Sequence, residues 1–93
     1  MILKIKYSKQ ATKFLNKNPN TISENQVDEL MILALKKRVF SQENNLDIKM
    51  LKGLLVGKLR VRKGKIRIIF EIVENNIIIE SIVEEIDFRG SIY

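Results

Sequence analysis

Gly57-Lys58-Leu59-Arg60-Val61-Arg62-Lys63-Gly64-Lys65-Ile66-Arg67-Ile68-Ile69-Phe70-Glu71-Ile72 is the stretch that decides the fold of this chain. Apolar and basic side chains alternate at period two on either side of a Lys-Gly pair. Leu59 and Val61 alternate with Lys58, Arg60 and Arg62; beyond the glycine, Ile66, Ile68, Phe70 and Ile72 share one face and Arg67 takes the other. Successive residues of a strand point to opposite faces, so the pattern predicts two half-buried strands. Lys63-Gly64 lies where the chain must reverse, because glycine adopts the positive φ that short hairpin loops need. With the apolar residues packed on a core, Arg67 joins Lys58, Arg60 and Arg62 on the open face.

That open face is the main chemical feature. Between residues 48 and 70 there are eight Lys or Arg and no acid. Like charges opposed across neighbouring strands repel, so the cluster costs stability unless an anion neutralises it. Phosphate suits it, because the guanidinium fork donates to two oxygens at once. The plainer reading is a solvated strand face chosen for solubility; the lack of interleaved acids argues against it. The whole chain carries a net charge of +6 over 93 residues, which points to an anionic partner: nucleic acid, a membrane surface or an acidic protein. Six of the eleven acids fall between residues 71 and 87. They read first as charge balance for the basic strands, and second as a source of a carboxylate proton acceptor.

Working outward, Asn75-Asn76 suits a hairpin turn, and residues 77–83 form an isoleucine-rich last strand. Upstream, Leu3, Ile5 and Tyr7 mark a half-buried first strand. Ser8 caps a helix whose apolar face is Ala11, Phe14 and Leu15, and Pro19 requires it to end beforehand. Thr21 and Glu24 fit a Thr-x-x-Glu capping box for a second helix, with Val27, Leu30, Met31 and Ala34 on its inner face. That helix runs to about Phe40, with Lys36, Lys37 and Arg38 at its negative end. Residues 41–47 are polar and read as a loop. The expectation is an α+β fold, β-α-α-β-β-β, in which an N-terminal helical hairpin packs on a mainly antiparallel twisted sheet, residues 1–93 forming one domain.

Several chemistries are excluded. The chain has no Cys and no His, so disulfides, thiolate metal sites and histidine acid–base pairs are impossible. Proton transfer is left to Lys, Tyr, Asp, Glu or Arg. No apolar run reaches the roughly 18 residues of a membrane span. The start, with Lys alternating among apolar residues, lacks the apolar centre of a signal peptide, so the expected compartment is the cytoplasm.

The order Leu51-Lys52-Gly53, then Gly57-Lys58-Leu59-Arg60-Val61, then Gly64-Lys65-Ile66-Arg67-Ile68-Ile69-Phe70-Glu71-Ile72, then Arg89-Gly90-Ser91-Ile92-Tyr93, resembles the RelE/ParE toxin superfamily. With the predicted element order, the resemblance spans essentially the whole chain. It implies the toxin of a type II toxin–antitoxin pair. In the RelE-like branch, which the paired basic strands and Tyr93 favour, such a toxin cleaves mRNA in the ribosomal A site by attack of a ribose 2′-OH on the adjacent phosphate, with no metal or cofactor. Carried over by position, the catalytic set is Lys58, Arg60, Arg67, Arg89 and Tyr93; the RNA-binding set is Lys52, Lys58, Arg60, Arg62 and Lys63. Arg67 and Arg89 would stabilise charge developing on the phosphate. Lys58 or Arg60 would hold flanking phosphates, and a lysine of depressed pKa would take the 2′-OH proton. Tyr93 would stack on a base or move a proton. Phe88 stands where many relatives carry His, and residues 84–87 are unusually acidic for an RNA site. The resemblance leaves two alternatives: a ParE-like inhibitor of DNA gyrase, or a catalytically weak member acting as a binding module. The implied partners are a cognate antitoxin, acidic where it covers the patch, and mRNA on the ribosome, with no membrane.

Overall fold

The computed structural model describes residues 2–75 and 78–89 of the chain. Strand β1 (Ile2–Tyr7) ends at Ser8, whose hydroxyl accepts a hydrogen bond from the Ala11 amide and so starts helix α1 (Lys9–Lys17). The cap satisfies one of the amide donors that every helix start leaves over. Asn18 closes the helix, its backbone amide returning to the Phe14 carbonyl, and Pro19 follows as its geometry demands.

Helix α2 (Glu24–Val39) has its capping box two residues later than Thr21 and Glu24 suggest. Ser23 Oγ accepts from the Gln26 amide at 3.2 Å, and Gln26 Oε1 accepts from the Ser23 amide at 2.8 Å. Burial decides between the two candidates. Ile22 is buried, and only a cap at Ser23 puts Ile22 at N′ and the buried Val27 at N4, the two positions of a hydrophobic staple. Glu24 then stands in the first turn, where the helix dipole favours an acid.

Strands β2 (Asp47–Met50), β3 (Leu59–Lys63), β4 (Ile66–Asn75) and β5 (Ile78–Phe88) complete a five-stranded sheet of order β1-β5-β4-β3-β2. β1 runs parallel to β5 and every other pair is antiparallel. The α+β class, the two helices and the mainly antiparallel sheet are as expected; β2 is additional. It has four residues and inserts only Ile48 against the core, too short a signal to separate from the polar loop before it. In the β3–β4 hairpin, Lys63 pairs with Ile66 across a two-residue loop, and Gly64 at φ +57° occupies the first loop position, as a type II′ turn requires. Asn75 pairs with Ile78; Asn76 and Ile77, expected in a turn and at the head of the last strand, lie outside the described residues.

Both helices pack on one face of the sheet. Phe14, Val27 and Met31 meet Val61, Ile68, Phe70 and Val83 in the core. The Phe14 and Phe88 rings tilt at 58° with centroids 5.2 Å apart, a favourable aromatic geometry. Ser81 is fully buried there and turns its hydroxyl to Met31 Sδ at 3.1 Å. Tyr7 donates its hydroxyl to Asp28 and the Glu24 carbonyl, tying β1 to α2; burial first, then Asp28, push that hydroxyl well above the ordinary tyrosine pKa. Among the described residues, no helix is long and apolar enough to cross a membrane.

Strand β5 is longer than β1, and α1 covers the remainder of its edge. Past the Tyr7 and Val83 pair, the Ser8 amide donates to the Val83 carbonyl at 2.8 Å and Ser8 Oγ to the Glu84 carbonyl. The Gln10 side chain then clamps Ile86 twice, accepting from its amide and donating to its carbonyl, each at 3.0 Å. The backbone groups of a strand edge are thereby satisfied without another strand.

Because Ser23 makes the cap, Ser23→Ala is expected to lower stability by about 1 kcal/mol. Thr21→Ala is expected to change it by less than about 0.5 kcal/mol, as for an ordinary surface site. Paired urea-unfolding curves of the two variants check the assignment; equal losses would reject it.

Candidate nucleic-acid interface

Register places the basic residues. Arg62 is directly opposite Arg67, and Arg60 lies between Ile69 of β4 and Lys49 of β2. Opposed residues share a face, so Arg60, Arg62 and Arg67 stand together on the side away from the helices, with Lys58 one step before the strand on the same side. β2 adds Asp47 and Lys49 to this face. Sequence reasoning missed both because Asp47 was read as the end of the 41–47 loop and residues 48–50 were assigned to no element; the alternation Asp47-Ile48-Lys49-Met50 is the one trace they leave.

The face is not purely cationic. β5 lies beside β4 and carries its acids on the same side, with Asp87 opposite Arg67 and Glu85 opposite Ile69. The register then slips: Phe70 pairs with Val83, so Glu84 is an extra residue in β5. Such a bulge re-aims side chains. Here it sends Glu84 to Lys58, which it hydrogen-bonds, while Glu71 lies 3.8 Å from the same ammonium. The segregation of charge along the chain does not survive folding, because antiparallel pairing of β4 with β5 lays the acidic stretch against the basic one.

Each cation is consequently in a different state. The hydrogen bond to Glu84, then the charges of Glu84 and Glu71, raise the Lys58 pKa above the ordinary lysine value. Lys58 is an ammonium at neutral pH, and the depressed-pKa general base expected of a lysine is not found at this position. Arg60 is 6% exposed, its guanidinium 3.4 Å from Asp47 Oδ1 across the strand pair. Arg62 and Arg67 are half-buried. Arg89 extends β5 past Phe88: its amide donates to the Lys65 carbonyl at 2.7 Å and its guanidinium to the Gly64 carbonyl at 3.0 Å, so it braces the hairpin tip.

The remaining predicted positions lie apart from this group. Lys63 alternates to the helix side of the sheet, where it lines a cavity of about 540 Å³ with Ile22, Leu30 and Ile66. Lys52 is exposed in the loop from β2 to β3, which closes through the Leu51 amide to the Lys58 carbonyl and extends Leu54 and Val56 into solvent. Tyr93 lies outside the described residues. Phe88 has a physical reason for its identity, since in this chain the position before Arg89 packs on Phe14 in the core.

No protein-family model and no curated protein sequence matches the chain. Solved structures do. YafQ from Escherichia coli strain BL21(DE3) superposes with a TM-score of 0.66 over 97% of both chains, at 11% identity. A copper-bound mutant toxin from Helicobacter pylori gives 0.69 at 17% identity, over 99% of this chain and 100% of that one. The toxin–antitoxin complex RelBE2 from Mycobacterium tuberculosis gives 0.65 at 20% identity, over 96% and 100%.

The fold is the RelE/YoeB toxin fold.

On this RelE-like sheet, fixed cations and carboxylates alternate over one surface. Such a surface can hold a phosphodiester between arginines and keep an oxyanion within reach as a proton acceptor. Glu84 competes with any phosphate for Lys58. Glu84→Gln is therefore expected to return the Lys58 pKa toward the ordinary value, since a neutral amide no longer stabilises the ammonium. For a phosphate polyanion held on this face, it should also steepen the salt dependence of binding by about one counterion. Nζ titration by NMR and fluorescence binding at several salt concentrations measure the two effects; an unchanged Lys58 pKa would refute the pairing.

Proposed function

We propose that this protein is the toxin of a type II toxin–antitoxin pair and acts as an endoribonuclease on mRNA in the ribosomal A site. The observation that carries the reading is the grouping of Arg60, Arg62 and Arg67 with Glu85 and Asp87 on one face of a RelE-like sheet. Fold alone hosts many functions, so the argument rests on what those side chains can do.

In the proposed reaction the 2′-oxygen bonds to the adjacent phosphorus and the bond from phosphorus to the 5′-oxygen breaks, giving a 2′,3′-cyclic phosphate and a 5′-hydroxyl. Arg67 and Arg62 face the phosphate and offset the charge that builds on its equatorial oxygens. A β5 carboxylate, Asp87 or Glu85, takes the 2′-OH proton, the role the charged Lys58 does not fill. The Lys58 ammonium gives a proton to the departing 5′-oxygen, which leaves as the 5′-hydroxyl. Arg60, nearly buried against Asp47, holds the strand pair in register and the face in place. Arg89 and Tyr93 are assigned to the scissile phosphate and to base stacking on the strength of the resemblance.

A cognate antitoxin is part of the proposal. Among the structural neighbours are complexes named as RelBE2, YoeB with YefM, and RelB with RelE. Acidic side chains of an antitoxin would engage Arg62 and Arg67 as a phosphate would. A second reading, a non-catalytic binding module, is favoured by the carboxylates already paired with Lys58 and Arg60; it includes a ParE-like protein directed at DNA gyrase.

Primer extension on mRNA in purified translating ribosomes separates the readings. Wild type is expected to cut at the A-site codon. Arg67→Ala should slow the cut about 10²–10³-fold, the usual cost of losing one donor to a developing oxyanion. Arg67→Lys should recover part of that loss by restoring charge without the fork. Intact mRNA together with toxicity in cells would reject the nuclease reading and support the binding module.

A further inference from the structure

We infer that the outer face of α1 is a second nucleic-acid contact, in which Lys9, Lys13 and Lys17 grip the phosphodiester backbone of a folded RNA. The inference goes beyond the cleavage reading and rests on α1 itself.

The three lysines recur every fourth residue, so they rise in one row about 6 Å apart along the helix. Thr12 and Asn16 fill the gaps; all five are exposed, opposite the buried Ala11 and Phe14. The row is unfavourable as it stands. Like charges at i and i+4 repel. Lys9 also follows the N-cap directly, at the positive end of the helix dipole, and the first turn has no acid to compensate. Some cations elsewhere are held by partners, Lys6 by Glu80, Lys58 by Glu84, Arg60 by Asp47 and Lys37 by the Asn44 and Leu46 carbonyls, but these are single charges and not a row. Among the described residues, none of the three α1 lysines has a carboxylate partner.

The composition of the face selects its occupant. Protein interfaces are depleted in lysine and centre on apolar or aromatic side chains, whereas α1 exposes no large hydrophobic residue. A helix lying on a membrane turns its apolar face to lipid, and that of α1 is spent on β5 and the core. Flexible ammonium groups among short polar donors fit phosphate, which needs charge and little directionality. The core separates this row from the sheet face, so one extended strand does not serve both. A folded RNA that presents two backbone segments does.

The test uses the full chain and the variant Lys9→Gln/Lys13→Gln/Lys17→Gln, with a fluorescent RNA hairpin as probe. The slope of log affinity against log salt should fall by about three in the variant. Its melting temperature should equal or exceed that of wild type, because repulsion has been removed. An unchanged slope overturns the inference, as does loss of binding only to polyglutamate, to anionic phosphatidylserine vesicles or to duplex DNA. If the triple variant does not fold, Lys13→Gln alone should lower the slope by about one. Failure of the cleavage reading would appear as intact mRNA with wild type and leave this slope difference in place.

Discussion

The antiparallel pairing of β4 with β5 is the constraint on which the rest of the structure depends. It is the longest ladder in the sheet, running from the Ile66 and Phe88 pair to the Asn75 and Ile78 pair. β5 takes β1 along its other side, and its uncovered end accepts α1 through Ser8 and Gln10. β4 carries β3 and, through it, β2. Side chains on one face of this ladder, Ile68, Phe70, Val83 and Ile86, bury both helices; those on the other, Arg67, Glu85 and Asp87, make the polar surface. A shift of one residue in this pairing would exchange the two sets and destroy core and surface together.

The bulge at Glu84 fits that economy. An uninterrupted strand alternates, so Glu84 and Glu85 would face opposite ways and one carboxylate would be driven toward the helices. The extra residue lets Glu84 reach Lys58 while Val83 and Ile86 both stay in the core. The result is a polar surface whose charges largely answer one another. That lowers the repulsion a row of cations would impose. It also means that an incoming phosphate must displace a carboxylate, a cost that a poorly aligned anion does not recover.

The fold was legible because its strands are half-buried: the alternation around Gly64 and the helical spacing of Val27, Leu30, Met31 and Ala34 each follow from one face meeting the core. β2 was not, because one inward residue makes no period. The helix cap was misplaced for a related reason. Thr21 and Ser23 are both good capping residues, and the burial of Ile22 chose between them, a tertiary fact. The grouping of Arg60, Arg62 and Arg67 was visible from alternation alone. Their acidic neighbours were visible too, but as a separate tract; only the strand order β5-β4-β3 makes that tract part of the same face. Lys63 shows the opposite limit, since composition joined it to the basic patch while alternation, read strictly, assigns it to the other side.

The two cationic surfaces differ in kind, and the difference bears on how a polyanion would be engaged. Paired charges on the sheet are half-buried, weakly screened and fixed in direction, so they discriminate by geometry at short range. The α1 lysines are exposed and mobile, and their field acts over about a Debye length, near 8 Å at physiological salt. Charges of the second kind raise encounter rates; charges of the first kind decide what stays bound. A net charge of +6 on so small a chain therefore need not concentrate on the sheet face. With three lysines without carboxylate partners on α1, behind the core, the carboxylates of the sheet face do not cancel the whole of the chain's attraction for a polyanion.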